Sequence, residues 1–110
     1  MAQSTIGELL LEELVDRVRQ VVAPSKILLF GSAARGTHSK NSDLDILVVV
    51  ADGVHRGQTC EAIHRNLFGF DEPADIIVAT ESDIRQHANN PFLVYKPALD
   101  EGIELYRRDG

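Results

Sequence analysis

Tryptophan is absent from this chain of 110 residues, cysteine occurs once, and aromatic residues make up only 5%. A lone Cys60 excludes an internal disulfide and a zinc site built on cysteine alone. No apolar run approaches the ~20 residues needed to cross a bilayer. The N-terminal stretch carries acids from Glu8 onward, so it reads as neither a signal peptide nor a basic transit peptide. Positive charge is scarce as well: 11 Lys and Arg stand against 17 Asp and Glu, a net charge of −6. Such a chain gets no general electrostatic help toward a nucleic-acid backbone, and direct nucleic-acid binding is not expected. Metal cations, and anions that arrive with cations, are its natural small partners. The Walker pattern GxxxxGK[ST] and the zinc pattern HExxH are both missing. A cytoplasmic setting without membrane contact is expected. The length points to one domain over residues 1–110.

What is present alternates between helical and strand patterns. Thr5 to Val22 reads as a helix, with Thr5 and Glu8 at capping-box spacing and Ile6, Leu9, Leu10, Val15, Val18 and Val22 on one face. Pro24 ends it. Lys26 to Phe30 is a short apolar run whose length favours a buried strand, and Gly31 to Gly36 predicts a short helix closed by glycine. "THSKNS" is a polar loop. Leu44 to Val50 predicts a strand too apolar to have a wet face. Gln58 to Phe68 predicts a helix with Cys60, Ile63 and Leu67 inward, and Ala74 to Thr80 a third strand. Ser82 is placed to cap a helix to about Asn89. Asn90-Pro91 marks another helix start, which Pro97 should kink or interrupt. Gly102 stands at a C-terminal cap before a final edge strand, Ile103 to Tyr106. The order gives a small sheet with helices packed on it.

Asp43 and Asp45 are two apart at the mouth of a strand, so both side chains point to one face. Two carboxylates that close repel each other, and a divalent cation resolves the conflict. Hard oxygen donors with room for water and phosphate suit Mg²⁺ better than zinc. Asp75 opens the next strand in the same way. If the two strands are neighbours, three carboxylates meet at one sheet edge, a site for two metals and in-line phosphoryl or nucleotidyl displacement. Gly31-Ser32 lets the backbone turn tightly after a strand and turn its amides toward phosphate oxygens.

Gly31-Ser32, ten residues, then Asp43-Leu44-Asp45 resembles the GS-x10-D-x-D signature of the DNA polymerase beta-like nucleotidyltransferase superfamily. The string "FGSAARGTHSKNSDLDILV" looks like the minimal nucleotidyltransferases of prokaryotes, commonly paired as antitoxin with a HEPN-domain toxin. "ADIIVAT" and "EGIELY" fall where that family has its third carboxylate and its closing segment. The resemblance implies an α+β fold, a small mixed sheet with flanking helices. It implies that Asp43 and Asp45 ligate two Mg²⁺ ions, that Asp75 completes the metal site, and that Gly31 and Ser32 hold the β- and γ-phosphates of ATP. A hydroxyl, Tyr or Ser of a partner HEPN toxin, would attack the α-phosphate and receive AMP. Arg35 either assists the triphosphate or pairs with a nearby acid to fix the short helix. Asp71 and Glu72 lie close to Asp75, which the apolar run after it singles out. Larger members hold their acceptor with an extra domain, so a partner or a dimer of this chain is expected to serve instead. Two rivals stand beside this reading: an antitoxin that neutralises by binding alone, and a subunit that modifies a small molecule.

Other chemistry-bearing residues form no set of their own. His38, His55, His64 and His87 lack metal spacing; His38 and Lys40 lie in the loop before the acids. Cys60 reads as core rather than nucleophile. "PFLVYKPAL", Pro91 to Leu99, is ordinary core or a partner face.

Overall fold

The computed structural model describes residues 7–36, 43–90 and 95–108. The "THSKNS" loop with His38 and Lys40, Thr5, and the expected helix start at Pro91 lie outside them. The strands are β1 (Lys26–Phe30), β2 (Leu44–Val50), β3 (Ala74–Thr80) and β4 (Ile103–Arg107). Around them stand α1 (Glu8–Arg19), α2 (Gly31–Arg35), α3 (Arg56–Asn66), α4 (Glu81–His87) and α5 (Tyr95–Glu101). The sheet runs β3-β2-β1-β4, with β2 parallel to β3 and β1 antiparallel to both β2 and β4. It is mixed and flanked by helices, the expected α+β class.

β2 is central, and its residues supply both faces. Leu44, Ile46, Val48 and Val50 join Leu14 and Val18 of α1 and Ile63 of α3 on one side. Leu47 and Val49 join Leu28, Phe30, Ala79 and Ala98 on the other, against α4 and α5. Alternation along a strand therefore puts Asp45 on the α4/α5 face, beside Leu47. A strand covered on both sides has no wet face, and the valine-rich run predicted that.

Several local expectations change. α1 begins after Gly7, with no side-chain cap, and stops at Arg19. Leu9, placed on its buried face, is 81% exposed, and Leu14 is buried instead. α3 starts two residues earlier than predicted, because His55 caps it: its Nδ1 accepts from Gln58 N at 3.1 Å. The cap of α4 is Thr80 rather than Ser82. The Thr80 hydroxyl accepts from Asp83 N at 3.1 Å, and the Asp83 carboxylate accepts from Thr80 N at 3.0 Å, a complete capping box. Ser82 is committed elsewhere, donating through N and Oγ to the carboxylate of Asp52 at 2.9 and 2.6 Å. Pro97 does not interrupt α5. It falls in the first turn, where no amide donor is needed.

Candidate active site

Three elements place the acids and the Gly-Ser step at one end of the sheet. β1 ends at Phe30, which pairs with Asp45 across the antiparallel ladder. β2 and β3 both start there, and Asp45 is the register partner of Asp75 in the parallel ladder. Leu44 N donates to Pro73 O at 2.9 Å, so the two strand mouths are tied together right up to the acids. Paired residues of adjacent strands share a face, which puts the side chains of Asp45 and Asp75 on the same side of the sheet. Asp43 precedes β2 by one residue and is exposed, as is Asp75; Asp45 is half-buried. Cys60 senses the arrangement from α3. Burial pushes its thiol pKa up, and the negative charge of Asp75 pushes it further. Its Sγ contacts Ile76 O at 3.4 Å, and it stays a protonated core residue.

Gly31 opens α2 at φ +72°, in the left-handed region. A Cβ built there would collide with Oδ2 of Asp45 and stand 3.1 Å from its Cγ. Glycine is thus required twice over, by the backbone angle and by the carboxylate lying against it. Ser32 follows, half-buried, and Ala33 and Ala34 pack on the α1/α3 core. Gly36 ends the helix at φ +79°, its amide donating to Ala33 O at 3.3 Å. Arg35, last in α2, pairs through Nη1 with Oε1 of Glu101 on α5 at 3.5 Å. Of the two roles open to Arg35, the ion pair is the one this conformation holds.

Among the described residues, no three His, Cys, Asp or Glu side chains are gathered closely enough to hold a metal by themselves. The donor set still suits Mg²⁺, which keeps several waters and is bound by one or two carboxylates with substrate phosphates, not by an all-protein cage. Asp45 and Asp75 on neighbouring strands, with Asp43 two residues before Asp45, would be the carboxylates to supply it.

Sequence reasoning brought Gly31, Ser32, Asp43, Asp45 and Asp75 to one sheet end, and the structure places them there. It missed Glu101, which no local pattern ties to Arg35. It also missed Asp52, whose carboxylate takes Ser82 and, at 3.4 Å, Arg85. Its hydrogen bonds from Ser82, side chain first and backbone next, hold its pKa below the usual carboxylate range. This second acid–serine cluster belongs to the opposite end of β2.

A strand–Gly-Ser–short helix step facing paired carboxylates on a mixed sheet defines a nucleotidyltransferase fold. The nucleotidyltransferase domain family model matches residues 11–103, and the chain belongs to that family. It is a nucleotidyltransferase. It is 33% identical over 81 residues, 74% of this chain and 77% of the other, to a Methanocaldococcus jannaschii protein named "Putative protein adenylyltransferase MJ0604". The fold is similar to the crystal structure of a Sulfolobus solfataricus protein described as "a putative nucleotidyltransferase", with a TM-score of 0.62 at 21% identity, over 92% of this chain and 80% of that one. It is also similar to a chain of a toxin–antitoxin complex solved with AMP-PNP, with a TM-score of 0.58 at 22% identity over 94% and 76%. A third similarity is to a chain from the structure of the tri-AMPylated Shewanella oneidensis HEPN toxin with its MNT antitoxin. There the TM-score is 0.55 at 17% identity, over 92% and 72%. Among the described residues no helix is long and apolar enough to cross a membrane.

Proposed function

We propose that this chain transfers AMP from ATP to a Tyr or Ser hydroxyl of a HEPN-type toxin and so acts as its antitoxin. The observation that carries the proposal is the register pairing of Asp45 with Asp75 beside Gly31, in a chain of this family. The M. jannaschii relative and the AMPylated toxin complex support the direction of the reading.

In this reading Gly31 and Ser32 bind the β- and γ-phosphates through backbone amides and the serine hydroxyl. Asp43, Asp45 and Asp75 would hold Mg²⁺, which when bound would neutralise charge on the triphosphate and lower the pKa of the acceptor hydroxyl. The acceptor oxygen forms a bond to the α-phosphorus as the bond to the β-phosphate bridging oxygen breaks. Pyrophosphate leaves, and the hydroxyl proton passes through Asp75 to water. The close contact of Gly31 with Asp45 brings the phosphate end and the metal end of the site within one turn of backbone.

The test is transfer of label from [α-³²P]ATP, with Mg²⁺, to the protein encoded beside this chain's gene. Transfer is expected with the native chain and is abolished by Asp43→Asn with Asp45→Asn. No transfer, or transfer that survives the double substitution, sinks the proposal. Rescue from toxicity by the double variant would instead identify neutralisation by binding alone.

A further inference from the structure

We infer that Glu101 is the resting counter-ion of Arg35, and that the nucleotide triphosphate takes the guanidinium away from it. The inference rests on the nucleotide site proposed above and adds a positioning residue to it.

Arg35 stands three residues after Ser32 on α2, so the two share one side of the short helix. Helical side chains lean toward the helix N-terminus, which tilts Arg35 back toward the Gly31-Ser32 step. In this conformation the side chain is drawn sideways to Glu101 on α5 instead. The pair is loose. At 3.5 Å, through one nitrogen and one oxygen, with the two side chains 55% and 54% exposed, it has none of the bidentate geometry that makes such pairs strong. A triphosphate carries more charge than a carboxylate and presents paired oxygens that match the guanidinium fork. The exchange from Glu101 to phosphate is therefore downhill.

Both residues close short helices, and the exchange needs only side-chain movement. α2 is closed by Gly36. α5 is closed by Gly102, whose amide donates to Ala98 O at 2.9 Å and whose Cα has no room for a methyl group against Ala98 O and Leu29 O. Glu101 is the last residue of α5, next to Gly102. It holds the arginine at the side of the phosphate step until a triphosphate arrives.

The test is calorimetric binding of AMP-PNP and of AMP, each with Mg²⁺, to the native chain, Arg35→Gln, Glu101→Gln and the double variant. Arg35→Gln is expected to weaken AMP-PNP about tenfold, about 1.4 kcal/mol, with AMP affinity unchanged. Arg35→Lys keeps the charge without the fork and should fall between. Glu101→Gln is expected to tighten AMP-PNP about two- to fivefold, the range in which exposed ion pairs compete. That gain should vanish when Arg35 is also replaced, because Glu101 acts through the arginine. An unchanged AMP-PNP affinity in Arg35→Gln overturns the inference and leaves the pair a structural strut. A Glu101→Gln gain that persists without Arg35 also overturns it, since the effect is then plain charge repulsion. A native chain that binds no AMP-PNP brings down the nucleotide site itself, a result recognisable before any variant is made.

Discussion

Gly31 and Gly36 share a backbone conformation but not a neighbourhood. Both have φ near the left-handed value, yet only Gly31 faces another group, the Asp45 carboxylate, while a Cβ on Gly36 meets nothing within 4 Å. Alanine at either position incurs strain of about 1–2 kcal/mol, a drop in melting temperature of several degrees. Gly31→Ala must also push Asp45 aside and is expected to abolish nucleotidyl transfer. Gly36→Ala is expected to lower stability alone. Melting curves set beside labelled-ATP transfer separate the two effects; equal activity in both variants would remove Asp45 from the role proposed for it.

At the scale of elements, α4 is held by carboxylates at its start. Thr80→Ala removes the hydroxyl half of the capping box and is expected to cost about 1 kcal/mol in urea denaturation. The backbone hydrogen bond from Thr80, foremost, and the neighbouring Arg56 lower the Asp83 pKa, and the bonds from Ser82 lower that of Asp52. A carboxylate with a depressed folded pKa stabilises fully above its unfolded value, about 3.9 for Asp. That contribution is lost as pH falls through the folded value. Urea midpoints are therefore expected to fall below about pH 4, and to fall less steeply in Asp83→Asn and Asp52→Asn. An identical acid slope in all three proteins would show that neither group is linked to folding.

For the molecule as a whole, everything converges on β2. Leu47, fully buried, lies mid-strand in the core against α4 and α5. Leu47→Ala is expected to cost about 2–5 kcal/mol, a large share of the ~5–15 kcal/mol of a domain this size, measured by the shift in denaturation midpoint. Binding adds stability back. ATP with Mg²⁺ at a hundred times its dissociation constant should stabilise the fold by about 2.7 kcal/mol and raise the melting temperature. Chelation with EDTA should reverse that rise if the acids hold the metal; a melting temperature indifferent to EDTA would speak against a metal at Asp43, Asp45 and Asp75.

The strands β1, β2 and β3 have the same limits in the sequence and in the structure, because short runs of Ile, Leu and Val bounded by Pro, Gly and Asp carry their own ends. The Gly31-Ser32 step and the acids were legible for a similar reason: each is a local departure from an apolar run. Helix ends were less legible. Thr80 and Ser82 are both competent caps, and only the presence of Asp52 across the loop, 30 residues away, decides which hydroxyl is free for the task. Leu9 and Leu14 are alike in type, and the packing of α1 on the sheet decides that one is exposed and the other buried. Asp45 meets Asp75 only because β2 and β3 lie parallel in one register, and Arg35 meets Glu101 across 66 residues only because α2 and α5 abut. The sequence by itself determined where small residues and carboxylates interrupt the apolar runs, since that follows from residue type and local backbone. Which of them stand together was decided by the tertiary structure, since contacts between distant segments follow from how two apolar faces of one sheet are covered.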